Sequence, residues 1–167
     1  MDVTAITQST PLVHVHLLCA LCAVLIGPVA LWRQRRDRLH KICGYAFVAA
    51  MAGLALSGFA IPSAVFAAIG PFGPIHVLCI VTLFGLWQGV TAARRGQITR
   101  HRAHMRGLYF GALLITGLFT VMPGRALNRA LFPETPEFGW IFVTLGTLAL
   151  IWALLAPRRN HPPTRVD

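Results

Sequence analysis

Five apolar blocks alternate with short polar connections along the 167 residues of the chain. They run at about 12–32, 42–61, 74–93, 104–122 and 138–156, each near the roughly 20 residues that a helix needs to cross a bilayer. The first block, Leu12 to Trp32, is broken only by His14, His16 and the Gly27-Pro28 pair. This pattern predicts an all-α polytopic membrane protein. The expected architecture is a four-helix transmembrane bundle made from two tandem hairpins, plus a fifth transmembrane helix. All of it belongs to one domain, residues 1–157, followed by a disordered cytoplasmic tail, residues 158–167. Between the second and third blocks, Ile61 to Gly73 carries Pro62 and Pro71 and reads as an outer loop with a short interfacial helix. The second helix should end near Pro62, because the residue before a proline avoids the α conformation. Pro123 to Pro136 reads as a second outer loop, in which a short helix would set Arg125 and Arg129 on one face.

Composition agrees with a membrane setting. The chain is 56% hydrophobic and 12% charged, more apolar than an ordinary soluble domain. The formal charge of +10 raises nucleic acid as a partner, but its placement points elsewhere. Arg33, Arg35, Arg36, Arg38 and Lys41 lie in the first connection, Arg94, Arg95, Arg100, Arg102 and Arg106 in the third, and Arg158, Arg159 and Arg165 after the fifth block. All of these fall on one side of the membrane. The other side holds Arg125 and Arg129 beside Asp2, Glu134 and Glu137. The positive-inside rule then sets the amino terminus in the periplasm and the carboxyl terminus in the cytoplasm of a bacterial inner membrane. Anionic lipids at the cytoplasmic face, and not nucleic acid, are the expected partners of the basic connections. The first ten residues lack a positive charge and the first block is long for a signal h-region, so it is expected to remain as a helix.

The four cysteines, Cys19, Cys22, Cys43 and Cys79, sit in or at the ends of apolar blocks. On membrane helices they read as small packing residues before they read as a redox pair or a disulfide framework. Gly85 with Gly89, Gly107 with Gly111, and Gly53 with Ser57 are each four apart, a spacing that lets membrane helices approach closely.

The chemistry lies in the histidines. His16 and His76 open the first and third blocks, as His16-Leu17-Leu18-Cys19 and His76-Val77-Leu78-Cys79. His40 and His104 open the second and fourth, each five residues before a tyrosine, Tyr45 or Tyr109. The offsets are 60 for the first pair and 64 for the second, as a tandem duplication of one hairpin would give. The repeat sets His16 opposite His76 near the outer ends and His40 opposite His104 near the inner ends, roughly 20–30 Å apart at 1.5 Å per residue. Two facing imidazoles are what a six-coordinate haem iron takes. Two haems b would form an electron path across the bilayer, with quinone as a membrane-soluble redox partner. Arg125 outside, and Arg102 or Arg106 inside, suit haem propionates, because a guanidinium matches a carboxylate.

A second chemistry uses the cysteines. Cys19, Cys79 and Cys43 follow His16, His76 and His40 by three, on a shared helix face. His16, Cys19, His76 and Cys79 would then offer a two-histidine, two-cysteine site of the kind that suits zinc or copper. Histidines near helix ends also serve simply as polar groups at the interface, and the chain then reads as a non-catalytic subunit or assembly factor of a larger membrane complex. His14, His101 and His161 lie outside the paired pattern. No carboxylate falls within any predicted span, which counts against a proton-relay pump or intramembrane acid–base hydrolysis.

Two runs carry a resemblance. Arg38-Leu39-His40-Lys41-Ile42-Cys43-Gly44-Tyr45, following Gly27-Pro28, and His101-Arg102-Ala103-His104-Met105-Arg106, followed by Tyr109, resemble an uncharacterised bacterial family of predicted membrane proteins, a domain of unknown function. The likeness covers about residues 12 to 125. It implies a histidine at the outer end of the first helix, one opening the second, and a His-Arg-x-x-Met motif opening the fourth. That motif falls on His101, whereas the repeat selects His104, so the partner of His40 is left open. His76 has no counterpart in the family pattern. The layout is also similar to that of four-helix membrane cytochromes b, as an analogy of arrangement.

Overall fold

The computed structural model describes residues 7–33, 35–62 and 73–155. Its elements are α1 (Pro11–Trp32), α2 (Arg38–Ala60), α3 (Pro74–Arg94), α4 (Ile98–Gly107), a π-helical segment (Leu108–Ile115), α5 (Thr116–Thr120), α6 (Ala126–Leu131) and α7 (Phe138–Leu155). No strand occurs among the described residues. Three helices, α1, α2 and α3, are long and apolar enough to cross a membrane. The fourth expected span is helical, but it starts at Ile98 rather than 104 and passes from α to π and back to α without a break. Its polar first turns, with Arg100, Arg102 and Arg106, hid that start from the apolar pattern. The fifth expected span corresponds to α7. Most of the expected interfacial helix, residues 63–72, and the tail, 158–167, lie outside the described residues.

Local chemistry sets the ends. Pro11 and Pro74 open α1 and α3, where a proline gives up no helical hydrogen bond. Asp37 caps α2, its carboxylate accepting the His40 N–H at 3.0 Å. That helix stops at Ala60, just before Ile61-Pro62, as the proline requires. At α3 the His76 side chain does the capping: its Nδ1 accepts the Gly73 N–H at 3.1 Å. Gly96, at φ +73°, turns the chain from α3 into α4.

The helices pack as two hairpins, α1 on α2 and α3 on α4, with α2 against α3. Phe47, Met51, Leu86, Met105, Leu108 and Tyr109 form the shared core. Lipid is as apolar as these side chains, so close packing and interhelical hydrogen bonds hold the bundle. Gly85 receives Leu108, and Gly89 receives Met105 with the His104 Cβ. Gly53 receives the Cys19 sulfur. Among the described residues, the Gly107 and Gly111 pair meets nothing within 4 Å. Short helix α6 forms in the outer loop with Arg125 as its N-cap and Arg129 one turn on. Asn128 locks that loop, its Nδ2 donating to the carbonyls of Val121 and Pro136, both at 2.9 Å.

Pro28, inside α1, has no N–H to give, so the carbonyl of Val24 loses its helical donor. The Tyr109 hydroxyl supplies one from the π segment, at 3.3 Å. Its ring lies against Gly27, where a Cβ would strike it. The wide π turn thus carries a side chain that completes the broken turn of α1, a use that accords with π segments occurring where geometry is specialised. Replacing Tyr109 by Phe should lower stability modestly, by about 0.6 kcal/mol, as typical for a hydrogen bond between membrane helices. Gly27→Ala should cost more, about 1–3 kcal/mol, because the ring must move. Reversible unfolding in mixed detergent micelles measures both.

Candidate functional site

One cavity, about 400 Å³, opens at the basic end of the bundle, a volume within the range of small-ligand sites. Its innermost wall is apolar, with buried Phe47 and Met105. Two half-buried imidazoles come next: His40, from the first turn of α2, and His101, from α4. Around the outside stand Arg33, Arg36, Lys41, Arg94, Arg102 and Arg106, all exposed. Among the described residues no carboxylate lines the cavity. Trp32 and Tyr45 complete the wall, the Trp32 ring edge-on to Phe110 at 6.5 Å.

The two imidazoles are held differently. His101 Nδ1 lies 2.9 Å from the Gly89 carbonyl. A carbonyl only accepts, so Nδ1 carries the proton and Nε2 keeps a lone pair. Backbone-anchored histidines of this kind are oriented for ligation through Nε2. His40 Nδ1 is buried and has no hydrogen-bond partner among the described residues, a condition that costs free energy. His104 lies instead with its Cβ toward Gly89 and does not line the cavity. The structure therefore brings His40 together with His101, the histidine of the His-Arg-x-x-Met run, and not with the one chosen by the repeat.

The outer histidines do not form a matching pair. The single proton of the Ser57 hydroxyl goes to the Gly53 carbonyl at 2.6 Å, so its contact with His16 Nδ1 at 3.0 Å requires that nitrogen to donate. His16 is left with an Nε2 lone pair, as His101 is. His76 is the reverse. It is 4% exposed, its Nδ1 accepts the Gly73 N–H, and the neutral ring then carries its proton on Nε2, where no lone pair remains for a metal. Its ring packs edge-on against Phe59 at 5.5 Å. His16 and the Cys79 sulfur both border Gly58, whereas Cys19 faces Gly53, more than a turn away. Among the described residues no three histidine, cysteine or acidic side chains converge as a metal site. Arg125 sits at the N-cap position of α6, without a capping side-chain bond, and is not part of the cavity.

Several cavity residues were not singled out by sequence pattern. Arg33, Arg36, Lys41 and Arg94 counted as topology signals and lipid contacts, Trp32 as an anchor at the end of a span, and Phe47 as an apolar position. Their shared signal is a position next to a basic turn, which does not say which way a side chain faces. Ser57, the partner of His16, appeared only as a small packing residue.

Asp37 organises this end. Arg33 Nε donates to its Oδ1 at 2.8 Å and Arg33 Nη2 closes the second arm of the pair. The Arg33 guanidinium, with the His40 N–H, holds the Asp37 carboxyl well below the ordinary carboxylate range, and Asp37 in turn raises Arg33.

A bundle of apolar helices with basic turns at one end and a histidine-lined cavity beneath them marks a membrane protein. The chain belongs to the family described as Predicted membrane protein (DUF2306), which matches residues 13–155. Comparison with curated proteins and with solved structures finds no match.

The depressed Asp37 carboxyl fixes a pH dependence. Its contribution to stability is complete above the ordinary aspartate value of about 4 and is lost as pH falls toward the lower folded value. Thermal unfolding of wild type and Asp37→Ala should therefore differ at neutral pH and converge as the pH drops below about 4. Asp37→Asn, which still caps α2, should fall between them at neutral pH.

Proposed function

We propose that this protein binds one b-type haem in the basic-ended cavity, with His40 and His101 as axial ligands, and carries electrons within the membrane. One observation supports this above all others: two imidazoles, on different helices, line a single cavity, one anchored with Nε2 left for a ligand and the other with a buried Nδ1 that has no hydrogen-bond partner among the described residues. The polarity of the site fits the same group. A macrocycle suits the apolar wall of Phe47 and Met105, and two propionates suit the guanidinium groups of Arg102 and Arg106 at the rim. Haem held by two protein ligands has no open coordination position, so the reading is electron transfer and not oxygen chemistry. Quinone, being lipid-soluble, fits as its redox partner.

The outer end contributes no second haem to this reading, because the capping role of His76 takes up the ring. The chain then holds one redox site, not a two-site path. The copper or zinc alternative rests on His16 and Cys79 beside Gly58. The full reading has five crossings, with the basic end in the cytoplasm of a bacterial inner membrane by the positive-inside rule.

Haem-replete expression and purification in detergent should give a Soret band whose reduced form shows the sharp α and β bands of six-coordinate haem b. His40→Ala and His101→Ala should each lose the sharp six-coordinate bands, while His104→Ala and His76→Ala should retain them. A colourless wild-type protein, or sharp bands untouched by both His40→Ala and His101→Ala, overturns the proposal.

A further inference from the structure

We infer that the rim of the basic cavity binds the phosphate of an anionic membrane phospholipid. Six cationic side chains line this space. Arg33 is paired with Asp37, and the other five, Arg36, Lys41, Arg94, Arg102 and Arg106, have no ion-pair partner among the described residues. They come from both hairpins: Arg36 and Lys41 from the α1–α2 turn and the start of α2, Arg94 from the last turn of α3, Arg102 and Arg106 one turn apart on α4. Like charges facing one another across a partly enclosed space repel more strongly than they do in open water. An anion between the two hairpins removes that repulsion and bridges them.

The walls indicate the kind of anion. Trp32 is 64% exposed and Tyr45 75% exposed, yet both line the cavity. Its side is therefore built of aromatic rings that face outward at the end of the span, where such rings meet the headgroup region of a bilayer. A ligand there meets cations at one end and apolar surface at the other, in the same order as a phospholipid in the surrounding leaflet. Guanidinium groups grip phosphate with paired hydrogen bonds. A soluble phosphate would satisfy the charges but leave the aromatic wall unused. The inference does not depend on haem, since two propionates leave three of the five free cations without a counter-charge.

The test is thermal unfolding of the full chain in nanodiscs of phosphatidylcholine alone, of phosphatidylcholine with phosphatidylglycerol, and of phosphatidylcholine with inorganic phosphate in the buffer. Phosphatidylglycerol should raise the midpoint by at least about 2–4 °C, the shift that one unit of binding energy gives a chain of this size. The double variant Arg36→Gln, Arg94→Gln, which removes one cation from each hairpin and leaves Arg102 and Arg106 in place, should lose that gain. The double variant Arg35→Gln, Arg95→Gln, which removes the same charge from outside the cavity, should keep it. A gain reproduced by inorganic phosphate alone would assign the rim to a soluble anion and overturn the lipid. No gain from phosphatidylglycerol, or equal loss in both double variants, would overturn the site itself.

Discussion

The arrangement depends on how closely α4 lies against α3. Gly85 and Gly89 leave the α3 backbone bare on one edge, and Leu108 and Met105 fill it. Only that approach brings His101 to the Gly89 carbonyl. A single hydrogen bond then orients the imidazole, selects its tautomer and directs it into the cavity. Packing of this kind is the main source of helix association in lipid, where burial of apolar surface offers little. The same contact that holds the second hairpin together therefore also builds the site.

The other side of the bundle solves a different problem. Pro28 leaves a carbonyl of α1 without its helical donor, which water would satisfy in a soluble protein. A bilayer core offers no water, so the protein must supply the donor itself. Tyr109 does so, and it reaches α1 from a segment wound as a π-helix. The π segment, the Gly27-Pro28 pair and the tyrosine five residues after His104 are thus parts of one device. Phe47 packs beside Tyr109, with ring centroids 6.2 Å apart, and also lines the cavity, which joins this device to it.

Much of the fold was legible because a membrane limits the choices. The apolar blocks gave α1, α2 and α3, the prolines gave their ends, and the resemblance carried by the histidine runs is borne out by the family match over residues 13–155. The fourth helix was read too short, since its first turns carry arginines that belong to the cavity rim. Gly107 and Gly111 looked like a packing pair but meet nothing within 4 Å among the described residues, because spacing fixes a shared face but not what that face meets. His76 shows the same limit. Its position matched that of His16, yet it follows Gly73-Pro74 and folds back to cap its own helix. Whether His101 or His104 lies toward the cavity is a matter of helix rotation, which sequence spacing could not decide.

The central claim is that His40 and His101 act together on one ligand, and the most direct measurement is electron paramagnetic resonance of the oxidised, haem-loaded protein. Two neutral imidazoles on one iron predict a low-spin ferric signal of bis-histidine type, converted to a high-spin signal in His101→Ala. A high-spin signal in the wild type, or a low-spin signal that survives His101→Ala unchanged, would contradict it.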